Sequence, residues 1–356
     1  MKNRKIRIWV ICGFLLSQMA AINAAADTGP GIPDEQGCEV PRHLRITRPD
    51  PEGPPTEVRV GFYLLDMTEI DDKKQTFKVD FVGRLEWKDP RLAVDSLGKS
   101  LEGCEMKLSD IWNPEVTIIN RRELKQEWEN TLKVDNRGNV VFEQRLSGEL
   151  SSRLDLRDFP FDRQVVSIKI VARNSTPEDV ALVADPEVWG GRFEKLSLPG
   201  WSVALGEGLI TTEYIAPQDL HLARIDIPII ADRLPNFHIW RVFIPLSLIV
   251  FMAWTVFWID PANMPPQFSI ATASVLTMIA FQLSLGYLLP SVSYLTRVDR
   301  FLLGSSFLVF MALGEAVLTS RLAKRDRHVL ALKIDTWARW IYAALFGVVI
   351  VATVWI

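Results

Sequence analysis

Between residues 265 and 289 lies an uncharged segment of helix length in which small and hydroxylated side chains recur every third or fourth position. Ser269, Ala273, Leu276, Ala280, Leu283 and Tyr287 stand at alternating steps of four and three, so they share one face of a helix. Ser269, Thr272, Ser274, Thr277, Gln282 and Ser284 carry polar atoms into a stretch otherwise apolar enough for hydrocarbon. Such atoms gain nothing from lipid. They suit a helix that lines a water-filled path for ions, which needs several copies around an axis. They equally suit a helix buried in a polytopic bundle, its Ser and Thr bonded to neighbouring helices. The segment alone leaves both readings open.

Other chemistries find no support. There is no Gly-rich phosphate loop, no Gly-x-Ser-x-Gly and no His-Glu-x-x-His, so no catalytic residues are assigned and no enzyme is expected. His43, His221, His238 and His328 are scattered along the chain, so neither a metal site nor a cofactor is expected.

These residues have to be held by elements of two kinds. The 356 residues are 48% hydrophobic, with the apolar excess concentrated beyond residue 236. Four stretches there are long enough to span a bilayer, at about 239–259, 265–289, 297–320 and 335–356. Arg321, Lys324, Arg325, Arg327 and Lys333 follow the third, which puts that connection on the cytoplasmic side. At the other end, Lys2, Arg4, Lys5 and Arg7 precede a short apolar core and Ala24-Ala25-Ala26, the pattern of a cleaved secretory signal over 1–26. Both arguments place residues 27–235 outside, in the periplasm of an inner-membrane protein. Cleavage would remove four positive charges and no acids, taking the net charge from −3 to −7, which argues against a nucleic-acid partner.

Residues 56–235 read as strands. Segments 58–64, 77–87, 140–150, 165–171 and 222–230 alternate with period two or are β-branched. Turn signals at 71–73, 136–139, 159–162 and 175–177 separate them, giving about ten strands and an all-β, immunoglobulin-like sandwich. Cys38 and Cys104 share an oxidising compartment, where they are either bridged or two buried thiols.

Residues 152–166, Ser-Arg-Leu-Asp-Leu-Arg-Asp-Phe-Pro-Phe-Asp-Arg-Gln-Val-Val, resemble the signature loop of the pentameric ligand-gated ion channels, the Cys-loop receptor superfamily. Ser152 and Val166 stand where animal receptors carry cysteines, as in prokaryotic members. Trp87 to Leu92, Ile111 to Glu115, Arg233, Pro245 and the 290–294 linker resemble further marks of the family in the same order. The resemblance covers about residues 56–356. It implies a homopentamer in which each subunit contributes an outer β-sandwich and a four-helix membrane bundle. The implied partners are further copies of the chain, a small extracellular ligand or protons, permeant monovalent ions and the bilayer.

Carried onto this sequence, the resemblance implies a pore lined by Pro265, Ser269, Ala273, Leu276, Ala280, Leu283 and Tyr287, with Leu276 as the apolar constriction. The agonist would lie beneath the 214–219 hairpin, with Asn120, Arg121, Arg173 and Tyr214 as candidate contacts. Arg173 either meets a carboxylate-bearing ligand or pairs with Glu178 or Asp179. Coupling would run through Asp71, Asp72, Asp158, Phe159, Pro160, Phe161, Asp162, Arg233, Pro290 and Tyr294, with Arg233 paired to Asp158 or Asp162. Neither charge ring typical of the family's selective branches is present at the inner mouth, where Gln267 and Ser269 offer only dipoles. The competing reading is a non-conducting, membrane-anchored periplasmic sensory protein.

Overall fold

A computed structural model describes residues 38–286, 289, 292–325 and 327–355. The signal segment, Tyr287 and Pro290 lie outside them. Twelve strands form the outer domain: β1 (Thr56–Asp71), β2 (Thr76–Lys88), β3 (Met106–Lys107), β4 (Val116–Ile118), β5 (Arg121–Gln126), β6 (Thr131–Val134), β7 (Asn139–Ser151), β8 (Arg163–Ala172), β9 (Val180–Gly191), β10 (Trp201–Leu205), β11 (Leu209–Ile215) and β12 (Leu220–Arg233). One sheet runs β3-β6-β7-β2-β1-β9, with β5 on β7; the other runs β10-β12-β8-β4, with β11 on β12. All pairs are antiparallel except β1 with β9. The five strands legible in the sequence are long ones, but length alone does not decide. Strand β9, with 12 residues, carries Asp185, Pro186 and Glu187 and two terminal glycines that break its period, while β3, β4 and β6 are two to four residues long, too short to show one.

The sandwich closes because alternate residues of facing strands are apolar. Val58, Val60, Phe62 and Leu64 of β1 are buried, as are Ile225, Ile227 and Ile229 of β12. Asp89 is wholly buried and is held by Arg91, while its backbone N–H donates to the Gly138 carbonyl at 2.8 Å. Gly138 has φ +79°, and a Cβ there would sit 2.2 Å from the Asp89 carbonyl oxygen, so the 136–139 turn requires glycine. Cys38 and Cys104 are bridged, with Cα atoms 5.8 Å apart, so the thiol alternative is set aside.

Four helices follow: α1 (Asn236–Trp258), α2 (Met264–Leu285), α3 (Arg297–Lys324) and α4 (His328–Trp355). All are long and apolar enough to cross a membrane. In α1, Ile239–Phe243 is wound as π-helix just before Pro245, whose missing N–H leaves the Arg241 carbonyl without its usual donor. Pro265 and Pro266 occupy the first turn of α2, where the backbone N–H groups have no partners in any case. Thr296 and Asp299 form a reciprocal cap at the start of α3, with Thr296 Oγ1 donating to Asp299 at 2.8 Å.

Three boundaries depart from the sequence reading. Helix α2 ends at Leu285, four residues short of 289. Helix α4 begins at His328, not 335, and α3 continues to Lys324. Hydropathy marks where lipid ends, whereas the backbone keeps its helical bonds through the basic flanks. The basic loop therefore shrinks to a short turn, with most of its charges on helix ends.

The apolar core does not stop at the membrane. The sandwich core is continuous with Val242 of α1, Leu285 of α2 and Val298 of α3. The two domains are thus joined by packed side chains as well as by the covalent link.

Candidate functional site

Three places carry the candidate residues. The first is one face of α2. Pro265, Ser269, Ala273, Leu276, Ala280 and Leu283 are all exposed on the chain by itself, Leu276 and Leu283 at 69% and 70%. Gln267, Ala271, Ser274, Met278 and Leu285, on the opposite face, are buried. The polar residues of this helix divide between two roles. Ser274 Oγ donates to its own helix at the Ile270 carbonyl, 2.8 Å, while Gln282 Nε2 donates to Ser306 Oγ of α3 at 2.6 Å. Gln267, assigned to the inner mouth by sequence, is wholly buried, and its Oε1 accepts from Ser320 Oγ of α3 at 2.9 Å. Its dipole therefore fastens α2 to α3. The buried face of α2 bonds to a neighbouring helix, and the other face is left uncovered.

The second place is the junction between the domains. Arg233, the last residue of β12, donates from Nε to Asp162 Oδ1 and from Nη2 to Asp72 Oδ1, both at 2.7 Å. Its guanidinium stands 4.1 Å from the Trp201 ring centroid and 4.7 Å from that of Phe159. Two carboxylates and two rings thus hold one cation that is almost entirely withdrawn from water. Burial pushes the Asp72 carboxyl above its ordinary range, against the opposing pull of Arg233. Burial disfavours the Arg233 cation, but hydrogen bonds to Asp72 and Asp162 outweigh it and raise its pKa.

Asp158 does not pair with Arg233. It takes Arg297 of α3 at 2.8 Å, since it lies on the outer side of the loop. Arg297 Nη1 also donates to the Val354 carbonyl near the end of α4, at 2.5 Å, so one side chain joins the loop, α3 and α4. Asp71 is spent locally. Its Oδ1 accepts from the Lys73 and Lys74 N–H groups at 2.9 Å each, and these bonds bring its carboxyl below the ordinary value although burial works the other way. Phe159 is buried edge-on to His238 at 4.8 Å, and Phe161 reaches down to Phe243 of α1 at 5.9 Å. The Phe159–Pro160 peptide between them is cis. Tyr294 Oη accepts from the Leu156 N–H at 2.9 Å, tying the linker before α3 to the same loop. Trp201, His238 and Arg297 escaped sequence reasoning. Only Arg297 left a local signal, its place within the Thr296-x-x-Asp299 cap.

The third place is the outer hairpin of β11 and β12. Tyr214 is exposed, stacks 5.0 Å from His221 and donates its hydroxyl to Asp219 at 3.0 Å. Arg173, just past β8, is exposed, and its side chain has no hydrogen bond or ion pair among the described residues. The expected Arg173–Asp179 pair is absent because Asp179 is engaged by Thr176 at 2.9 Å and by Arg48 at 3.9 Å, and Glu178 does not pair with Arg173 either. Asn120 is corrected as a ligand candidate. Its amide nitrogen donates to the Ser151 and Ser167 carbonyls at 2.8 Å each and its oxygen accepts from Lys169 N–H, so it staples the two sheets together. Arg121 borders a different space, a cavity of about 370 Å³ shared with Arg84 and Gln144. Arg224, unnoticed in the sequence, sits beside the hairpin with Glu213 and Asp226, donating to Glu213 at 2.6 Å.

Comparison with known proteins agrees with this arrangement. Residues 40–199 match the neurotransmitter-gated ion-channel ligand binding domain, and residues 242–329 match the neurotransmitter-gated ion-channel transmembrane region. The chain is also 25% identical over 292 residues to a proton-gated ion channel of Gloeobacter violaceus, covering 82% of this chain and 80% of that relative. With both domains matched in order, the non-conducting sensory reading falls away. The chain belongs to the neurotransmitter-gated ion-channel family and is a multi-pass membrane protein of the ligand-gated channel class, without the cysteines that bracket the signature loop in animal receptors.

Proposed function

We propose that five copies of this chain assemble around an axis, with the exposed face of α2 lining a pore for small monovalent ions and Leu276 forming its apolar neck. The observation that carries this reading is the split of α2 into a face buried against its own bundle and an opposite face, from Pro265 to Leu283, that the chain leaves uncovered. Water leaves a narrow apolar ring readily, and an ion cannot cross it without water, so a small change in radius gates conduction. Residues 27–235 lie in the periplasm, the basic ends of α3 and α4 lie on the cytoplasmic side of the inner membrane, and residues 1–26 are removed on export.

The outer hairpin senses the signal, and the junction relays it. Arg173, exposed and uncompensated, favours a small carboxylate over an amine, and Tyr214 supplies a single ring where an ammonium needs several. Protons are the other candidate signal. The relative is proton-gated, and here Asp72 is a partly buried carboxyl whose charge holds Arg233. The Arg233–Asp72–Asp162 cluster, with Arg297–Asp158 beside it, links the sandwich to α1, α3 and α4 and can take two arrangements as that charge changes. Recordings from purified protein in lipid bilayers test the reading. Currents evoked by acid or by small carboxylates, with a reversal potential set by the salt gradient, are expected; protein that inserts yet never conducts under either stimulus excludes it.

A further inference from the structure

Two acids of the membrane domain have no part in that scheme. Glu315 of α3 and Asp335 of α4 face one another across the helix pair. Asp335 is 1% exposed, and Glu315 is partly buried. None of the four carboxyl oxygens receives a hydrogen bond from a donor among the described residues. The surroundings compensate them only in part: the Arg339 charge and the Thr319 hydroxyl both act on Asp335, but each is engaged elsewhere. Thr319 of α3 donates to its own helix at the Glu315 carbonyl, 3.0 Å. Arg339 of α4 donates to the Phe257 carbonyl at 2.9 Å and lies over the Trp258 ring. Lys333 borders, with Glu315, a cavity of about 430 Å³ walled by Trp337 and Ile341. From the α1–α2 connection, Asp260 adds further negative charge and is itself 3.0 Å from His328. Gln267 of α2 accepts from Ser320 through its oxygen, and its amide nitrogen is without a partner among the described residues.

Two adjacent carboxylates in hydrocarbon, each without a donor, repel one another and forfeit hydration. One proton between them removes the repulsion and supplies the missing bond, a short O–H···O⁻ contact of the charge-assisted kind. The helix so fastened needs it. Only 11% of the apolar span of α4 is buried, against 22–33% for the other three, and α3 is the helix it packs against most extensively, so the pair lies on its main attachment. Asp335 and Glu315 lie seven and nine residues from the α4 start and the α3 end, about 10–14 Å along the helices at 1.5 Å per residue.

We propose that Glu315 and Asp335 form a proton-binding latch between α3 and α4, in which the pair holds one proton and releases it to cytoplasmic water as the internal pH rises. The step balances as a single proton lost from a carboxyl–carboxylate pair to leave two carboxylates. Alkalinisation then leaves two mutually repelling charges with only Arg339 to offset them, and loosens α4. The sign follows: the latch contributes stability while the shared proton is bound, and that contribution is lost as pH rises through the titration of the pair. The effect on gating rests on the channel reading above; the latch itself does not.

Infrared difference spectroscopy of the purified, lipid-reconstituted protein reads the latch directly. A protonated-carboxyl carbonyl band is expected at neutral pH, lost on alkalinisation and absent from Glu315→Gln and Asp335→Asn. Glu315→Gln keeps a donor toward Asp335, so its thermal midpoint should not follow the parent's decline, a difference of roughly 2–4 °C between acid and alkaline pH. A parent without that band at neutral pH overturns the proposal, even if neither variant assembles. So do variants that keep both the band and the parental pH slope. In inside-out patches, raising internal pH should change the open probability of the parent and leave Glu315→Gln unmoved; identical responses refute the link to gating. A parent that carries no current overturns the channel reading, and the infrared and thermal results still decide the latch.

Discussion

Arg233 is bonded to two acids and sandwiched by two rings, so its removal leaves Asp72 and Asp162 facing each other without a cation. Breaking such a buried pair costs about 3–5 kcal/mol. Arg233→Lys is the gentler probe. It keeps the charge and loses at least one of the three carboxylate bonds, a loss of about 1.5–3 kcal/mol, or roughly ten- to a hundredfold in a gating equilibrium. Dose–response curves of the assembled Arg233→Lys variant should shift by that factor, and a curve superposed on the parent's would remove Arg233 from the relay. Asp72 gives a pH prediction. Its folded pKa is raised by burial, so its contribution to stability is present below the ordinary carboxylate range and fades as pH rises through the raised value. Asp162, Asp71 and Arg233 are the charges that act on it. Asp72→Asn should flatten the unfolding midpoint across this acid window, and an unchanged pH slope would show that Asp72 does not titrate there. By contrast Asp158–Arg297 is half-exposed at the acid, and as an ion pair it contributes ~0–1 kcal/mol. Its interest lies in the bond from Arg297 to the end of α4.

At the scale of the element, α2 shows how one helix serves two surroundings. Its apolar and polar residues alternate with no strong sidedness in hydropathy, yet Gln267 and Gln282 bond to α3 while Leu276 and Leu283 face outward. The burial pattern follows residue size and bonding partner more than polarity. Leu276→Ser should wet the neck and raise resting conductance or agonist sensitivity, as read in single-channel records. A well-expressed variant with the parental resting current would place the constriction elsewhere on the stripe. The bridge between Cys38 and Cys104 closes a loop with a sequence separation of 66, and loops of that order contribute roughly 2–4 kcal/mol through the unfolded chain. Cys38→Ser with Cys104→Ser should lower the unfolding midpoint of the outer domain by several degrees in circular-dichroism melts, leaving strand content unchanged.

At the scale of the whole molecule, the uncovered face of α2 is the observation behind the proposed assembly. Leu276 and Leu283, each about 70% exposed, lie beside Thr272 and Thr277, whose hydroxyls bond back to their own helix, so this face mixes uncovered apolar and polar side chains as a wet pathway between several copies would require. Mass measurement of detergent-solubilised protein should therefore give five copies, and a monomer or dimer would refute the pore. The continuous core from the sandwich into Val242, Leu285 and Val298 implies that the domains move as packed bodies about the junction.

What the sequence determined by itself is set by local rules. Five of the longer strands announced themselves by period two, though β9 did not, membrane helices by apolar length, the 136–139 turn by its glycine, and the exposed face of α2 by steps of four and three. The signature loop could be recognised because its residues are contiguous. Tertiary structure alone decided the pairings. Arg233 chose Asp72 and Asp162 over Asp158, Asn120 became a staple, and Gln267 turned to Ser320. Trp201 joined Arg233 because β10 runs beside β12, with Trp201 opposite Arg233 in register. Glu315 and Asp335 met because α3 and α4 pack antiparallel about a short turn. Each of these contacts joins residues far apart in the chain. The energy that selects among partners depends on burial and mutual approach, which exist only once the sheets and helices have packed.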